Sequence, residues 1–143
     1  MKKKLIVKNL KKIKIQKITK LNVPKGNIIK FLNYKSDTYD KFGEIYFSKI
    51  KKKSIKAWKM HKKNICNILV ISGCVKFVFI NNNEFYNVVL NEKTPKLLSI
   101  PPKHIFGFQG IGKKNIICNL INNFHSDKEV QIFPIKHFKY KWQ

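Results

Sequence analysis

The sequence predicts an all-β fold, arranged as an antiparallel sandwich or a closed barrel. Short runs of alternating apolar and polar residues recur along the 143 residues, and turn-forming residues separate them. The turns fall at roughly ten-residue spacing, which is typical of sandwiches and barrels with many short strands. No amphipathic pattern long enough for a substantial helix is present. A chain of this length suits one domain with one core, so we expect a single domain over 1–143.

Each strand is predicted from its own run of residues. Strands are expected at 11–21, 28–33, 44–50, 54–61, 66–73, 74–80, 85–91, 96–100 and 115–121. Turns are expected at 22–27, 51–54 and 81–84, where glycine, proline, serine or asparagine interrupts the pattern. The segment 36–43 predicts a loop or one helical turn. The segment 100–112, which is rich in proline and glycine, predicts a structured loop with a short strand.

The high positive charge of the chain is only weak evidence for a nucleic-acid partner. The net charge is +24, yet all 31 basic residues are lysine and only Ala57 is alanine, a composition typical of AT-rich coding sequences. Proteins that recognise nucleic acids usually use the planar guanidinium of arginine. We therefore expect no specific nucleic-acid partner, and a basic nucleic-acid-binding barrel ranks last among the possible functions.

Membrane and secretory segments are not predicted. No apolar run approaches the roughly 20 residues of a membrane span. The basic start of the chain is followed only by the short apolar run LIV, too short for the core of a signal peptide. We expect a cytoplasmic protein without membrane contact. The odd set of three cysteines contains no CxxC pair and predicts free thiols.

The stretch IKAWKMHKK carries the first candidate site. If it is a strand, Ile55, Ala57, Lys59 and His61 share one face. An inward lysine is costly unless the interior is a polar ligand cavity, and a small barrel can enclose one. The alternative is a solvated edge strand.

The pair combines a candidate base with a neighbouring cation. General acid–base catalysis needs a base with a pKa near neutral, and a cation stabilises negative charge that develops beside it. The ammonium of Lys59 disfavours a second positive charge and keeps the imidazole of His61 neutral. Tyr46 lies on the preceding strand and either donates a proton or packs in the core. Asn67 is a candidate cavity amide, and Lys25 in the 22–27 turn is either a contact to an anionic ligand or a solvated lysine.

Several segments together resemble a known family. The segments VISGCVKFVFI, LNEKTPKLLSIPPKHIFGFQGIG, NLINNFHSDKEV and IKHFKYKW are similar in layout to the dTDP-4-dehydrorhamnose 3,5-epimerases and the related sugar-nucleotide 3,4-ketoisomerases. The likeness runs from Leu21 to Trp142. It implies a cupin-type jelly roll, or double-stranded β-helix, over 21–142, preceded by an N-terminal strand region over 1–20.

The motifs match residue by residue only in part. IPPKHIFGF has the spacing of the family element IPxGxxHGF, with Phe106 at the histidine position and His104 two residues earlier. KAWKMHKK falls where the epimerases have RGLHYQ and the ketoisomerases RGFHAHK. Lys59 therefore takes the position of the epimerase base, and His61 that of the second ketoisomerase histidine. The epimerase tyrosine falls near His125, which either supplies the acid or caps a loop.

The resemblance implies an isomerase or epimerase that transfers a proton next to the ketone of a nucleotide-linked 4-keto-6-deoxy sugar, in the synthesis of a surface polysaccharide, and it implies a homodimer. Together with the residues singled out from their own positions, the candidates for catalysis are His61, Lys59, His125 and Tyr46. The candidates for substrate binding are Lys25, for a diphosphate, and Asn67, His104 and Phe106. The alternative is a non-catalytic cupin that binds a sugar nucleotide or glycan.

Metal and organic cofactors are not expected. Metal-binding cupins use two close histidines followed by a carboxylate. Here Lys59 replaces one histidine, and Ile65 and Cys66 occupy the region of the carboxylate.

Overall fold

The computed structural model describes residues 12–143 as almost entirely antiparallel β-structure. Residues 1–11, which begin the predicted N-terminal strand region, lie outside the described residues. The strands are β1 Lys14–Lys17, β2 Thr19–Leu21, β3 Ile28–Lys30, β4 Glu44–Lys51, β5 Ile55–His61, β6 Cys66–Ser72, β7 Cys74–Asn81, β8 Glu84–Asn91, β9 Lys96–Ile100, β10 Ile105–Gly110, β11 Lys114–Ile121 and β12 Val130–Ile132. One 3₁₀ turn, Ile135–His137, follows. Within 12–143, no helix has the length and apolar character needed to cross a membrane.

Two five-stranded sheets form the body of the fold. The first has the order β1-β9-β6-β11-β4, and the second has the order β12-β5-β10-β7-β8. Strands β2 and β3 pair with each other in a separate hairpin. All pairings between the strands are antiparallel, which confirms the predicted all-β antiparallel fold.

Apolar side chains of both sheets meet in one core. Phe77 of β7 and Phe108 of β10 are almost fully buried, with ring centroids 5.7 Å apart. The first sheet contributes buried aliphatic residues opposite them, including Ile68, Leu98 and Ile117. Removing such side chains from water is the main stabilising contribution, at about 25 cal/mol for each Å² of apolar surface buried. This core holds the two sheets face to face.

The hairpin between β7 and β8 shows how sequence sets the register. Asn81 pairs with Glu84, so the connection has two residues, Asn82 and Asn83. Both have positive φ, at 50° and 63°. Asparagine tolerates positive φ better than most residues. A two-residue hairpin turn needs positive φ to match the right-handed twist of the strands it connects. The turn predicted over 81–84 is confirmed.

The ends of the chain differ from the expected strand pattern. The predicted strand at 11–21 divides at Ile18 into β1, which pairs with β9, and β2, which pairs with β3. The short strand β12 was not predicted, because three residues give no usable alternation. It pairs with β5 and brings the segment before it against the end of that strand.

Asn115 ties together one end of the two sheets. Its Oδ1 accepts hydrogen bonds from the backbone N–H groups of Cys74 (2.9 Å) and Gly112 (3.1 Å). Its Nδ2 donates to the carbonyl oxygens of Ile50 and Gly112, both at 2.9 Å. A Cβ atom at Gly73 would lie 2.4 Å from Oδ1 of Asn115, so glycine is needed there. One buried amide therefore connects β4, the β6–β7 turn and the approach to β11.

Replacing this amide should destabilise the fold. Asn115→Ala leaves backbone groups of Cys74 and Ile50 without their partner, and we expect a loss of about 2–4 kcal/mol in the free energy of unfolding. The measurement is urea unfolding followed by tryptophan fluorescence. Asn87→Ala, at an exposed position of β8, is the matched control and should change stability by less than about 0.5 kcal/mol. Equal effects of the two substitutions would show that Asn115 is not a structural hub.

Candidate active site

A cavity of about 430 Å³ lies between β4 of the first sheet and β5 and β12 of the second. This volume is in the range of small-molecule sites. It is lined by Glu44, Tyr46, Lys59, His61, His125, Val130 and Ile132. All four residues predicted to be catalytic, Tyr46, Lys59, His61 and His125, therefore line the same cavity. Their chemical roles stay predictions.

His61 is held by a carboxylate that the sequence analysis did not identify. Nδ1 of His61 lies 2.8 Å from Oε2 of Glu129, and both side chains are largely buried. Glu129 immediately precedes β12, whose Val130 pairs with His61. The pairing of this short strand with β5 therefore brings the two side chains together across 68 positions of sequence.

Glu129 is itself fixed in an ionised state. Its Oε1 accepts hydrogen bonds from the backbone N–H groups of Lys63 (3.0 Å) and Asn64 (2.9 Å). Burial alone would raise the pKa of this carboxyl. The hydrogen bonds from Lys63, His61 and Asn64 more than offset burial and hold the pKa below its ordinary value.

The ionised carboxylate determines which nitrogen of His61 carries the proton. A carboxylate only accepts hydrogen bonds, so Nδ1 is the protonated nitrogen and Nε2 has a free lone pair. Nε2 is buried and has no hydrogen-bond partner among residues 12–143. Burial lowers the pKa of His61, and Lys59 adds to this, although Glu129 partly opposes it. The result is a neutral imidazole with an available basic nitrogen.

Lys59 lines the same cavity as His61, and its amine lies over two aromatic rings. Its Nζ is 5.4 Å from the ring centroid of Phe106 and 5.7 Å from that of Phe108. The hydrogen bonds and ion pairs formed among residues 12–143 do not include its ammonium group. Burial lowers the pKa of Lys59, opposed by the nearby Cys66 and reinforced by Lys56. The amine is therefore unusually easy to deprotonate.

Tyr46 lies on β4, and one hydrogen bond holds its hydroxyl group. Its hydroxyl oxygen accepts a hydrogen bond of 2.8 Å from Nδ2 of Asn119. Burial is the main cause that raises the pKa of Tyr46 well above its ordinary value, so the phenol keeps its proton. Burial also raises the pKa of the neighbouring Cys66 thiol to about 11, which leaves this cysteine protonated and unreactive.

His125 occupies the open side of the cavity. Its ring Nε2 lies 3.3 Å from Oδ1 of Asp127, and both side chains are exposed. It is thus available to a ligand but less firmly held than His61 or Tyr46.

The residues predicted to bind substrate are dispersed. Phe106 is fully buried and stacks against His61 with ring centroids 6.4 Å apart, so it supports the site from behind. Lys25 is exposed in the turn between β2 and β3. His104 donates to the carbonyl oxygen of Pro102 and lines a different cavity of about 520 Å³, beside β1, β7 and β8.

Asn67 differs from the expectation that it faces the cavity. Its Oδ1 accepts hydrogen bonds from the hydroxyls of Thr38 (2.9 Å) and Ser99 (2.6 Å). Its Nδ2 donates to the backbone oxygen of Thr38 at 2.9 Å. The amide is buried, both its oxygen and its nitrogen have partners within the protein, and it does not line the 430 Å³ cavity.

The predicted alternation along β5 holds only near its end. The pairing of β5 with β10 slips by one residue between Phe106 and Phe108. Lys59 and His61 still share the cavity, but strict alternation from Ile55 is interrupted. Trp58 packs instead against aromatic residues of the C-terminal segment, including Tyr140 and Trp142.

One sequence signal for Glu129 was available. The chain has only seven acidic residues against 31 lysines, so each carboxylate is a candidate partner for an inward base. The pairing itself required knowledge of β12. Among residues 12–143, no group of three histidine, cysteine, aspartate or glutamate residues is placed to hold a metal ion.

The sequence matches no protein-family model, and no curated protein matches significantly. Solved structures do share the fold. A dTDP sugar isomerase from Desulfovibrio desulfuricans superposes with a TM-score of 0.86 at 23% identity, covering 92% of this chain and 91% of that one. The 3,4-ketoisomerase QdtA from Thermoanaerobacterium thermosaccharolyticum, in complex with TDP-4-keto-6-deoxyglucose, gives 0.75 at 17% identity, covering 85% and 88%.

A third similar structure is the 3,5-epimerase RmlC from Legionella pneumophila in complex with dTDP-4-keto-L-rhamnose. Its TM-score is 0.81 at 13% identity, covering 94% of this chain and 80% of that one. Likeness at these identities establishes a shared fold. The predicted cupin-type jelly roll is confirmed.

The carboxylate should control the titration of His61. In Glu129→Gln the charge that raises the pKa of His61 is lost, so this pKa should fall further below its ordinary value. The Nδ1-protonated form should also cease to be the only neutral form. Imidazole ¹⁵N NMR across a pH series measures both effects. His104 and His137 do not line this cavity and serve as internal controls, so their imidazole signals should be the same in the variant and the wild type. A His61 pKa that stays the same or rises would contradict the assigned geometry.

Proposed function

We propose that this protein is an isomerase or epimerase acting on a nucleotide-linked 4-keto-6-deoxy sugar in the synthesis of a surface polysaccharide. The observation that best supports this is the free Nε2 of His61, which is oriented by Glu129 in a cavity shared with Lys59 and Tyr46. A base, a cation and a phenolic acid in one cavity are the groups that proton transfer next to a ketone requires.

The reaction begins with removal of a proton. Nε2 of His61 takes the proton from a carbon adjacent to the ketone, and Glu129 stabilises the imidazolium that forms. The ammonium of Lys59 stabilises the negative charge on the ketone oxygen. Tyr46, which stays protonated because its pKa is raised, returns a proton to the carbon skeleton. His125 is the second candidate for this acid.

The bound molecules of similar structures support the substrate class. One 3,4-ketoisomerase is in complex with TDP-4-keto-6-deoxyglucose, and one 3,5-epimerase is in complex with dTDP-4-keto-L-rhamnose. Both molecules carry a ketone on a sugar linked to a thymidine diphosphate. We infer the same class of substrate here, and Lys25 remains the candidate for a diphosphate contact.

Deuterium exchange tests the activity directly. We expect the protein to exchange protons of dTDP-4-keto-6-deoxyglucose at C3, C5 or both in D₂O, as followed by proton NMR. His61→Asn should slow the exchange at least ~100-fold because it removes the base. His137→Asn makes the same substitution at an exposed position outside the cavity and should leave the exchange unchanged.

The pattern of the result separates the alternatives. Exchange at C3 alone indicates a ketoisomerase or a mono-epimerase, and exchange at both carbons indicates a 3,5-epimerase. Broadening of the sugar signals without exchange would contradict catalysis and favour a non-catalytic sugar-nucleotide-binding cupin. Neither exchange nor binding would remove the proposed function altogether.

We also propose that the protein is a homodimer. The β2–β3 hairpin pairs only with itself among residues 12–143, and a lone two-stranded hairpin is marginally stable. Its apolar side chains are unusually exposed: Leu21 38%, Val23 41%, Ile28 48% and Ile29 37%. A second copy of the chain would bury this apolar surface.

Light scattering after size-exclusion chromatography tests the dimer. The wild type should have twice the mass of one chain, and Ile28→Lys should shift it toward the monomer because it places a charge in the buried interface. Val89→Lys makes a similar change at an exposed apolar position of β8 and should leave the mass unchanged. A wild type that is monomeric at all concentrations would refute the dimer.

A further inference from the structure

Lys59 occupies a position that electrostatic stabilisation alone does not require. It lines the 430 Å³ cavity and also an adjoining cavity of about 230 Å³, and Ile132 lines both as well. Lys59 and Ile132 therefore separate or join two neighbouring cavities, and a ligand in either one lies next to Lys59.

The amine of Lys59 has aromatic neighbours and no anionic partner within the described residues. Two aromatic rings, Phe106 and Phe108, lie within 6 Å of its Nζ, and no carboxylate among residues 12–143 pairs with it. An ammonium group that serves only as a fixed charge usually has an anionic partner or remains in water. A lysine kept in an apolar pocket without a counter-ion is the arrangement that enzymes use to form Schiff bases with carbonyl substrates.

We propose that the amine of Lys59 condenses with the ketone of the sugar to form an imine, and that the protein is consequently an epimerase. This proposal rests on the proposed function, since it requires a keto-sugar in the cavity, and it replaces the electrostatic role of Lys59 in that reaction with a covalent one. The lowered pKa of Lys59 agrees with it, because the neutral amine is the nucleophile.

The covalent steps balance without an oxidant or a reductant. The nitrogen lone pair adds to the carbonyl carbon, and loss of one water molecule from the protonated carbinolamine gives a cationic iminium. Nε2 of His61 then removes a proton from the adjacent carbon, which leaves an enamine and an imidazolium. Reprotonation of that carbon from the opposite face, by Tyr46, restores the iminium, and a proton then passes through water from the His61 imidazolium to the Tyr46 phenolate. Hydrolysis by water releases the epimerised ketone and the free amine.

The same intermediate disfavours ketoisomerisation. Moving the carbonyl to the neighbouring carbon through an imine would leave the nitrogen attached to the original carbon as an amine. Hydrolysis does not cleave such a carbon–nitrogen bond, so the enzyme would inactivate itself. An imine at Lys59 is therefore compatible with inversion at a carbon but not with turnover as a ketoisomerase.

Reductive trapping tests the imine. The wild-type protein is incubated with dTDP-4-keto-6-deoxyglucose and sodium cyanoborohydride, and its intact mass is measured. We expect a single adduct with the mass of the substrate less one oxygen atom, mapped to Lys59 by peptide mass spectrometry. Free dTDP in excess should prevent its formation. Lys59→Arg keeps a cation but lacks the primary amine and should lose the adduct, whereas Lys62→Arg, at an exposed position, should retain it.

The deuterium-exchange assay distinguishes the two proposals. Exchange by the wild type without an adduct on Lys59, or with adducts spread over many lysines, overturns the imine and leaves the proposed function intact. Exchange by Lys59→Arg at the wild-type rate overturns it as well. Absence of binding, exchange and adduct overturns both proposals. If Lys59→Arg does not fold, mapping of the wild-type adduct decides the question alone.

Discussion

The hydrogen bond between His61 and Glu129 is the constraint on which the candidate site depends. A buried imidazole needs a partner for its N–H, and a buried carboxylate needs donors for both oxygens. Glu129 satisfies the first need and is itself satisfied by the backbone of Lys63 and Asn64. These contacts fix the tautomer of His61 and leave one nitrogen available. They also hold the start of β12 against the end of β5, so the same interaction organises the local fold and the chemistry.

The residues in and next to the cavity differ in the charge state that their surroundings favour. Burial favours the neutral forms of Lys59, His61 and Tyr46, because each would carry a charge poorly solvated by its surroundings. Glu129 is the exception, since several donors keep it charged. The site therefore contains a neutral base backed by the charged Glu129, a protonated phenol and an easily deprotonated amine, and Glu44 lines the same cavity. Such a set of groups can exchange protons with a substrate at small cost in charge separation.

The sequence was most informative where the pattern was local. Alternation and turn residues predicted the long strands and the Asn82–Asn83 turn, and two-residue spacing placed Lys59 and His61 in one cavity. Contacts between distant segments were not accessible. Glu129 is 68 positions from His61 and depends on a three-residue strand, which leaves no periodicity to read. The expectation that Asn67 faces the cavity failed for the same reason. A buried amide needs a hydrogen-bond partner, but the sequence did not show whether Thr38, Ser99 or a ligand would provide it.

Glu129 immediately precedes β12, so its hydrogen bond with His61 depends on the pairing of this strand with β5. This strand has three residues, lies at the edge of its sheet and pairs with β5 alone. Edge segments with few backbone hydrogen bonds open locally at a free energy below that of global unfolding. Each opening releases His61 from its orienting carboxylate while the core stays folded. The orientation of His61 therefore depends on the local stability of one sheet edge, where backbone hydrogen bonds of Glu129 with Lys62 and of Phe133 with Trp58 support the pairing of β12.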